Sequence, residues 1–471
     1  MSEHRDDLLA IDAAAPREVA ERDRHQRREK IYTRGIEGYF QRLRLYTGWP
    51  LLLGYLSLPW VTLGGEPAVL FDLPARKFHI LTLTFWPQDL MLLAFLLVIA
   101  AFGLLTVTTL LGRVWCGYTC PQTVWTAIFM YIEQRFEGSR NQRIKLDAEP
   151  MSLNKFRRKF LKHAGWLVVA LVTGLTFVGY FTPIGDLIKA LLGLEANGWA
   201  ATFIGLFTML TYLNAGYMRE KVCTQMCPYA RFQSAMFDRD TLIVSYDATR
   251  GEPRGSRKRT AAPPEGAGDC IDCQLCVQVC PTGIDIREGL QYECISCALC
   301  VDACDSIMAK MGYAPGLVSY TSENQLQGHK ARLLRPRAVG YIAALLVMIG
   351  IFSFTLVEQP LVEVAVMRDR DQLHLPAPGG RVDNLYNLRI TNRDANAQTF
   401  TVQIEGLQDA ELIGEQVISI AAEDTFETYL RIRANPLLLT APSTAVIFRV
   451  ERRDQERVYA ESESRFLKPL L

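Results

Sequence analysis

The sequence lacks several features that would assign it to common functional classes. Its 471 residues include 51 Lys and Arg against 50 Asp and Glu, so no charge surplus points to nucleic acid as a partner. It has neither a Gly-rich nucleotide-binding motif nor a C-x-x-C-H haem-attachment motif, so an electron donor must come from elsewhere. Charged residues precede the first apolar stretch, and we therefore expect no cleavable signal peptide.

Cysteine is absent from the last third of the chain, and the twelve cysteines present fall into two groups. Eight of them form the strings CIDCQLCVQVCP, at 270–281, and CISCALCVDAC, at 294–304. The other four are Cys116, Cys120, Cys223 and Cys227. This grouping argues against a disulfide framework and indicates a reducing compartment.

Each of the two cysteine strings has the spacing C-x2-C-x2-C-x3-C, which is the ligand pattern of bacterial-type ferredoxins with two [4Fe–4S] clusters. In such ferredoxins the fourth cysteine of each string ligates the other cluster. Zinc ribbons use two separated C-x2-C pairs, so the doubled string disfavours zinc. The predicted ligands are Cys270, Cys273, Cys276 and Cys304 for cluster 1, and Cys280, Cys294, Cys297 and Cys300 for cluster 2.

Five uncharged apolar stretches are long enough to cross a bilayer as helices of ~20 residues. They occupy residues 45–65, 90–111, 164–185, 196–218 and 338–357. A sixth apolar stretch, at 78–87, is too short to span, and we expect it to be interfacial or re-entrant.

The distribution of Lys and Arg predicts the orientation of these stretches. The loop at 112–163 contains ten of them, whereas the turn after the third stretch contains only Lys189. The positive-inside rule therefore places the N-terminus and the cysteine strings on the cytoplasmic side, and the C-terminus outside.

Residues 359–471 have a pattern typical of β structure. Runs rich in Val, Ile, Thr, Phe and Tyr alternate with polar residues and are separated by turn formers. These runs lie at 386–392, 399–407, 425–434, 444–452 and 457–462. They predict a small antiparallel β-sandwich, whose exposed edge strands would allow a homodimer.

The sequence therefore predicts a multi-domain membrane protein with a five-helix transmembrane bundle. The predicted segments are a disordered cytoplasmic tail at 1–35, a four-helix membrane region at 36–240, a ferredoxin domain at 241–336, a fifth transmembrane helix at 337–358 and a β-sandwich at 359–471.

The remaining four cysteines form two C-x3-C-P motifs, WCGYTCP at 115–121 and VCTQMCP at 222–228. Each motif follows a predicted membrane helix and is flanked by basic residues, which we expect to lower the pKa values of its thiols. Four thiolates at one membrane surface suit Cu(I), zinc or a third cluster. Alternatively, the four cysteines are buried as small apolar side chains.

The order of these features resembles that of the CcoG family, also called FixG or RdxA, of cytochrome c oxidase accessory proteins. The resemblance covers almost the whole chain. It implies a bacterial inner-membrane protein that reduces Cu(II) to Cu(I) on the cytoplasmic side, for the copper centre of a cbb3-type oxidase. It also implies an immunoglobulin-like fold for the sandwich, and copper-site thiols with a catalytic role at Cys116, Cys120, Cys223 and Cys227.

The expected partners are the membrane, an unidentified cytoplasmic electron donor, and a copper chaperone or transporter with the cbb3 oxidase assembly machinery. Two other functions stay open. One is a quinol dehydrogenase-type polyferredoxin that passes electrons between quinol and a reductase, and the other is a non-redox assembly factor. The C-x3-C-P thiols could also form a redox-active dithiol instead of binding copper.

Overall fold

The structure, a computed structural model, describes residues 30–63, 65–81, 83–259, 264–332, 334–369, 374–394, 396–439 and 441–469. The chain forms two compact units, Met1–Thr82 with Leu93–Met348, and Leu83–Leu92 with Ile349–Leu471. Most of the predicted N-terminal tail, residues 1–29, lies outside the described residues.

The described helices and strands are as follows. The helices are α1 (Tyr39–Ser57), α2 (Leu90–Leu111), α3 (Val114–Tyr118), α4 (Pro121–Glu137), α5 (Arg140–Ala148), α6 (Leu153–Gly179), α7 (Ile184–Leu192), α8 (Gly198–Leu213), α9 (Pro228–Ala235), α10 (Ala248–Gly251), α11 (Leu275–Val279), α12 (Leu299–Met311), α13 (Glu323–Leu326) and α14 (Pro336–Val357). The strands are β1 (Thr62–Leu63), β2 (Glu66–Pro67), β3 (Val69–Asp72), β4 (Lys77–Ile80), β5 (Leu83–Phe85), β6 (Ile243–Tyr246), β7 (Val318–Thr321), β8 (Val362–Arg368), β9 (Leu375–Pro376), β10 (Val382–Asn392), β11 (Gln398–Glu405), β12 (Glu411–Ile413), β13 (Val417–Ile420), β14 (Thr425–Ala434), β15 (Ser443–Arg452) and β16 (Gln455–Leu467).

Three of these helices are long and apolar enough to cross a membrane. They are α2 with its leading 3-10 turn, α6 and α14. Helices α2 and α14 lie where the sequence predicts the second and fifth spans. The fourth predicted span corresponds to α8, which continues into the π-helical turn Asn214–Met218. The structure therefore supports a membrane protein, and the five-helix count stays a prediction.

Two predicted spans end earlier than the sequence suggests. Helix α1 ends at Ser57, because a 3-10 turn with Pro59 and the hairpin β1–β2 follow it, so the span predicted at 45–65 is wrong beyond that point. Helix α6 ends at Gly179 and α7 begins after Pro183, so the span predicted at 164–185 is too long. Proline lacks the amide hydrogen that would continue the preceding helix.

The apolar stretch at 78–87 contains parts of β4 and the whole of β5, and β4 pairs with β3. Its interfacial or re-entrant location stays a prediction. One further segment differs from its predicted form. Residues 30–35 are not a disordered end of the tail, because Tyr32 donates a hydrogen bond to Asp147 at 2.6 Å and the Arg34 amide donates to the Gln278 carbonyl at 2.8 Å. Such side-chain and backbone partners offset the entropy lost on ordering.

The cysteine strings lie in a small α/β part of the first unit. Strand β6 pairs antiparallel with β7, and helices α11 and α12 pack against each other beside this pair. Val244, Ile286, Met308 and Leu317 form its apolar core together with several of the cysteines. The core is small because the cysteine loops take up much of the chain in this part.

The second unit contains a β-sandwich of two antiparallel sheets. One has the order β12-β14-β10-β8, with β9 paired to β10, and the other has the order β13-β11-β15-β16. Alternate residues of β10, Tyr386, Leu388 and Ile390, are fully buried between them. The Tyr386 ring packs on Phe448 with centroids 5.0 Å apart, and its hydroxyl donates to the Arg465 carbonyl at 3.2 Å. The predicted β-sandwich is confirmed, and its five predicted runs are β10, β11, β14, β15 and β16.

The segment just before α2 also belongs to the second unit, which the sequence did not indicate. Asp89 accepts a hydrogen bond from Arg393 at 2.9 Å, and Arg393 also donates to Glu363 at 2.6 Å. The guanidinium of Arg393 lies 5.0 Å from the ring of Trp86. These contacts attach the N-terminal end of α2 to the sandwich.

Candidate functional site

The two cysteine strings fold into loops of the same conformation. Asp272 and Gln274 have φ values of 51° and 56°. Ser296 and Ala298, at the same offsets within the second string, have φ values of 52° and 57°. Left-handed backbone is costly for residues other than glycine, so both loops keep the same strained turns between their cysteines. The strings are therefore a structural repeat as well as a sequence repeat.

Two cavities lie against these loops, and the predicted cluster ligands line them. The first cavity, of about 360 Å³, is lined by Cys270, Cys273, Cys276 and Cys304. The second cavity, of about 350 Å³, is lined by Cys280, Cys294, Cys297 and Cys300, and Cys276 also reaches it. The structure thus brings together, from both strings, the four residues that the sequence assigns to each cluster.

The walls of both cavities fit a [4Fe–4S] cluster. Besides the thiols they present mainly apolar side chains, such as Ile286 in the second cavity and Met308 in the first. Burial raises the pKa of Cys276 to about 11 and that of Cys294 to about 12, so these thiols keep their protons unless a metal displaces them. Within the described ranges, no three Cys, His, Asp or Glu side chains are grouped for a single metal ion. Each wall instead presents at least four thiols around a larger space, which suits a cubane cluster.

Each C-x3-C-P motif spans a junction between helical segments. Cys116 lies inside α3, and Cys223 lies inside the π-helical turn that precedes α9. Cys120 and Cys227 come directly before the prolines that begin α4 and α9. Proline is favoured at the first position of a helix, where no amide donor is needed. The prolines therefore start new helices, and each pair of cysteines lies across a bend.

The thiols of the two motifs lie near one another. Burial, reinforced by neighbouring thiols of the same group, raises the pKa values of Cys116 and Cys223 to about 12. Arg113 lowers the pKa of Cys116, but by less than burial raises it. The net shift of these two pKa values is therefore upward, opposite to the expected lowering, although Arg113 itself acts in the expected direction. The Cys116 thiol donates a hydrogen bond to Gln233 Oε1 at 3.1 Å.

The first C-x3-C-P motif contacts the loop that carries Cys294 and Cys297. Arg113 donates to the carbonyls of Tyr292 and Cys294, and the Tyr118 hydroxyl donates to the Cys297 carbonyl at 3.4 Å. Gly117 lies so close that a Cβ there would be 2.8 Å from the Ile295 carbonyl oxygen and 2.9 Å from Cys297 Cα. Sequence reasoning missed this contact, although a glycine between two cysteines is a signal for close backbone approach.

Replacing Gly117 with alanine is expected to destabilise this contact by about 1–3 kcal/mol, the usual cost of overpacking. The added methyl group would press on backbone atoms of the loop, which cannot rotate away. We expect the visible absorbance of the clusters to be lost at a lower temperature than in the unmodified chain. Gly185→Ala is the matched control, because a Cβ at Gly185 meets nothing within 4 Å. Equal transition temperatures in the two variants would contradict the contact.

A third cavity, of about 320 Å³, is lined by Cys223 of the second C-x3-C-P motif and adjoins the second cysteine-lined cavity. Thr282 and Ile295 line both of these cavities, and Thr282 Oγ1 is 3.3 Å from the Cys280 sulfur. Cys223 and Met130 also line the third cavity. The remaining lining residues are Arg44, Gln122, Thr123, Thr126, Arg219, Glu220 and Pro281. A thiol and two cluster-binding loops therefore meet at one small cavity.

A buried group of charges adjoins this cavity through Arg219. Glu133 is fully buried and pairs with Arg219 at 2.8 Å, with Arg143 at 3.3 Å and with Lys30 at 3.3 Å. Burial opposes the ionisation of Glu133, but Arg219, Lys30 and Arg143 outweigh it and lower its pKa to about 2. Sequence reasoning missed this group, because its members come from segments that are far apart in the chain.

Family models match three parts of the chain. Residues 218–323 match a "4Fe-4S dicluster domain", residues 93–137 match a "4Fe-4S binding domain", and residues 352–469 match an "IG-like fold at C-terminal of FixG". Together with the cysteine-lined cavities, these matches define an iron–sulfur electron-transfer protein with a C-terminal immunoglobulin-like domain.

Curated relatives place the chain more narrowly. It is 38% identical over 424 residues to "Nitrogen fixation protein FixG" of Rhizobium meliloti, and the aligned region covers 82% of this chain and 81% of the relative. It is 38% identical over 394 residues to "Protein RdxA" of Cereibacter sphaeroides, and the aligned region covers 80% of this chain and 83% of the relative. The chain belongs to the FixG/RdxA family, and the resemblance seen in its motifs is confirmed. The chain also matches a crystal structure of a FixG-related protein from Vibrio parahaemolyticus, with 28% sequence identity. The match covers 24% of this chain and 100% of the crystallised chain, with a TM-score of 0.22.

Proposed function

We propose that the chain is a membrane-bound cupric reductase that supplies Cu(I) for the copper centre of a cbb3-type cytochrome c oxidase. One observation carries the proposal. Thr282 and Ile295 form a wall shared by the cavity that contains Cys223 and the cavity lined by Cys280, Cys294, Cys297 and Cys300. A Cu(II) ion held beside Cys223 would therefore lie next to the loops that bear the proposed cluster ligands.

The residues of the chain have separate tasks in this proposal. The eight cysteines of the two strings hold the clusters, and a [4Fe–4S] cluster supplies one electron at a time when bound. The C-x3-C-P thiols Cys116, Cys120, Cys223 and Cys227 are soft ligands, which favour Cu(I). They stabilise the product of the reduction, Cu(II) + e⁻ → Cu(I), more than the substrate. Gly117 and Tyr118 keep the first of the two motifs, with Cys116 and Cys120, against the loop of Cys297.

The proposed setting is the bacterial inner membrane. The three long apolar helices support a membrane location, and the ten Lys and Arg residues at 112–163 support a cytoplasmic ferredoxin part with the sandwich outside. Helices α1 and α8 would complete the five spans. In this arrangement the electron donor is a cytoplasmic protein, and a copper chaperone or transporter receives the Cu(I).

The choice of electron acceptor tests the proposal. Purified protein is reduced anaerobically, freed from excess reductant, and offered Cu(II) or a soluble quinone in separate samples. We expect Cu(II) to restore the oxidised spectrum of the clusters, since the thiol cavity adjoins their ligand loops. Reoxidation by quinone alone would support a quinol dehydrogenase-type polyferredoxin, and reoxidation by neither would support a non-redox assembly factor.

A further inference from the structure

The two cysteine loops share one conformation but differ in exposure. In the first string Asp272, Cys273 and Gln274 are all exposed. At the same offsets of the second string, the three residues 296–298 are all buried. Cys273 is the exposed member of the eight ferredoxin cysteines, and the other seven are buried or half-buried. The repeat therefore has one open loop, at 272–274, and one covered loop, at 296–298.

The covered loop faces the first C-x3-C-P motif. Gly117 lies against the Cys297 backbone, and the Tyr118 hydroxyl donates to the Cys297 carbonyl at 3.4 Å. Cys297 lines the second cysteine-lined cavity, which adjoins the cavity that contains Cys223. The chain itself thus covers the side of the repeat that leads to the C-x3-C-P thiols. Of the two loops, the open one is the one that an outside partner can approach.

The open loop is part of the wall of the first cysteine-lined cavity. Cys273 and Gln274 line this cavity together with Cys276. Cys276 also lines the second cavity, so the two proposed cluster sites adjoin. Asp272 forms an ion pair with Arg287, another lining residue, which holds the loop against the cavity. An electron taken up at the open loop would therefore reach cluster 1 first and cluster 2 next.

The surroundings of the open loop are polar. The Gly255 amide donates to the Cys270 carbonyl at 3.1 Å, so the basic run at 254–259 passes beside the start of the first string. Lys258 and Arg259 of this run are exposed. Exposed charges are costly in the hydrocarbon of a bilayer, which disfavours a lipid-soluble donor at this loop. The surroundings favour a donor that arrives from water.

We propose that the open loop at 272–274 is the electron-entry site of the chain, where a water-soluble one-electron carrier reduces cluster 1. The carrier loses one electron and cluster 1 gains it. A free nicotinamide dinucleotide does not fit this role, because it transfers a hydride and the chain has no Gly-rich nucleotide-binding motif. The inference rests on the proposed function in taking the chain as an electron carrier, and it adds the point of entry and the class of donor.

A charge placed at the open loop tests this site through the rate of cluster reduction. Oxidised holoprotein, without copper, is mixed anaerobically with the SO₂•⁻ radical anion of dithionite, and the loss of cluster absorbance is followed. Gln274→Lys should raise the second-order rate constant about 2- to 5-fold at low salt, because the added cation attracts the anionic donor. Gln274→Glu should lower it by a similar factor. A reduced viologen, which is a radical cation, should reverse both effects.

Gln327→Lys is the matched control, because it adds the same charge at an exposed glutamine that lines neither cysteine-lined cavity. A second readout involves no electron transfer. The paramagnetic dianion of Ni(II)–EDTA is added to the reduced protein, and the microwave power saturation of the cluster EPR signal is recorded. We expect the complex to relieve saturation more in Gln274→Lys than in Gln327→Lys. Iron content per chain verifies that each variant carries its clusters.

Three outcomes would overturn the inference. They are equal rate constants in all three variants with both donors, equal relief of saturation in Gln274→Lys and Gln327→Lys, and faster reduction by a lipid-soluble quinol with no effect of the charge at position 274. The proposed function fails separately. If Cu(II) reoxidises the clusters but the charge at position 274 has no effect on their reduction, the inference is wrong and the function stands. If that charge controls cluster reduction but no Cu(II) is reduced, the proposed function is wrong.

Discussion

Replacing both Cys116 and Cys223 with serine is expected to lower the rate of Cu(II) reduction to that of protein-free buffer. The serine hydroxyl is a hard ligand and does not stabilise Cu(I) as a thiolate does. Neither residue lines a cavity that holds the eight ferredoxin cysteines, so the iron content and visible absorbance should stay unchanged. The measurements are the anaerobic rate of Cu(I) formation, with a chelator specific for Cu(I), and the iron bound per chain.

Thr119→Ser is the matched control for this double variant. Thr119 lies between Cys116 and Cys120, and serine keeps the hydroxyl that donates to the Trp115 carbonyl. We expect the control to reduce Cu(II) at the rate of the unmodified chain. Loss of iron from the double variant would mean that these thiols hold a further cluster, as the "4Fe-4S binding domain" match at 93–137 would allow. An unchanged copper rate would place the copper site elsewhere.

Replacing Glu133 with glutamine is expected to destabilise the folded chain by about 3 kcal/mol or more, because it leaves buried cations without their carboxylate. The side chain is fully buried, and Arg219, Arg143 and Lys30 all pair with it. Arg219 comes directly after the π-helical turn that follows α8, so this loss would also loosen the segment leading to Cys223. The measurement is the thermal unfolding transition of the detergent-solubilised chain.

Glu149→Gln is the control for this substitution, since the Glu149 side chain is exposed at the end of α5. We expect its transition to match that of the unmodified chain. Because the pKa of Glu133 is lowered from 4.5 to about 2, its ionisation stabilises the fold above about pH 4.5. That contribution is lost as the pH falls toward 2, so the variant should be destabilised at neutral pH and differ least from the unmodified chain in acid. Indistinguishable transitions of Glu133→Gln and Glu149→Gln at neutral pH would refute a structural role for the charge group.

Features set by local spacing were predictable from the sequence. The two ferredoxin strings predict which cysteines share a cavity, because the loop geometry follows from the C-x2-C-x2-C-x3-C pattern alone. The period-two runs also predict the strands of the sandwich from local sequence, because alternate residues of a strand face the buried side. The helices α2 and α14 were predictable from uninterrupted apolar runs.

Features that depend on distant segments were not predictable. Arg44, Met130 and Thr282 line one cavity although they lie far apart in the chain, and nothing in their local sequence indicates this. The predicted sign of the net pKa shift at Cys116 and Cys223 was wrong because burial also depends on distant segments. Arg113 is adjacent to the motif in sequence, but burial by the surrounding segments outweighs its charge at Cys116. Its guanidinium instead donates to the carbonyls of the loop at Cys294.

We expect Cu(II) to accept the electrons stored in this protein, and an anaerobic single-turnover titration tests this expectation most directly. Holoprotein is reduced, freed from reductant, and mixed with Cu(II) citrate and a chelator specific for Cu(I). We expect about two Cu(I) ions to form per chain, one for each [4Fe–4S] cluster, as the oxidised spectrum returns. Clusters that stay reduced in the presence of Cu(II), with no Cu(I) formed, would contradict it.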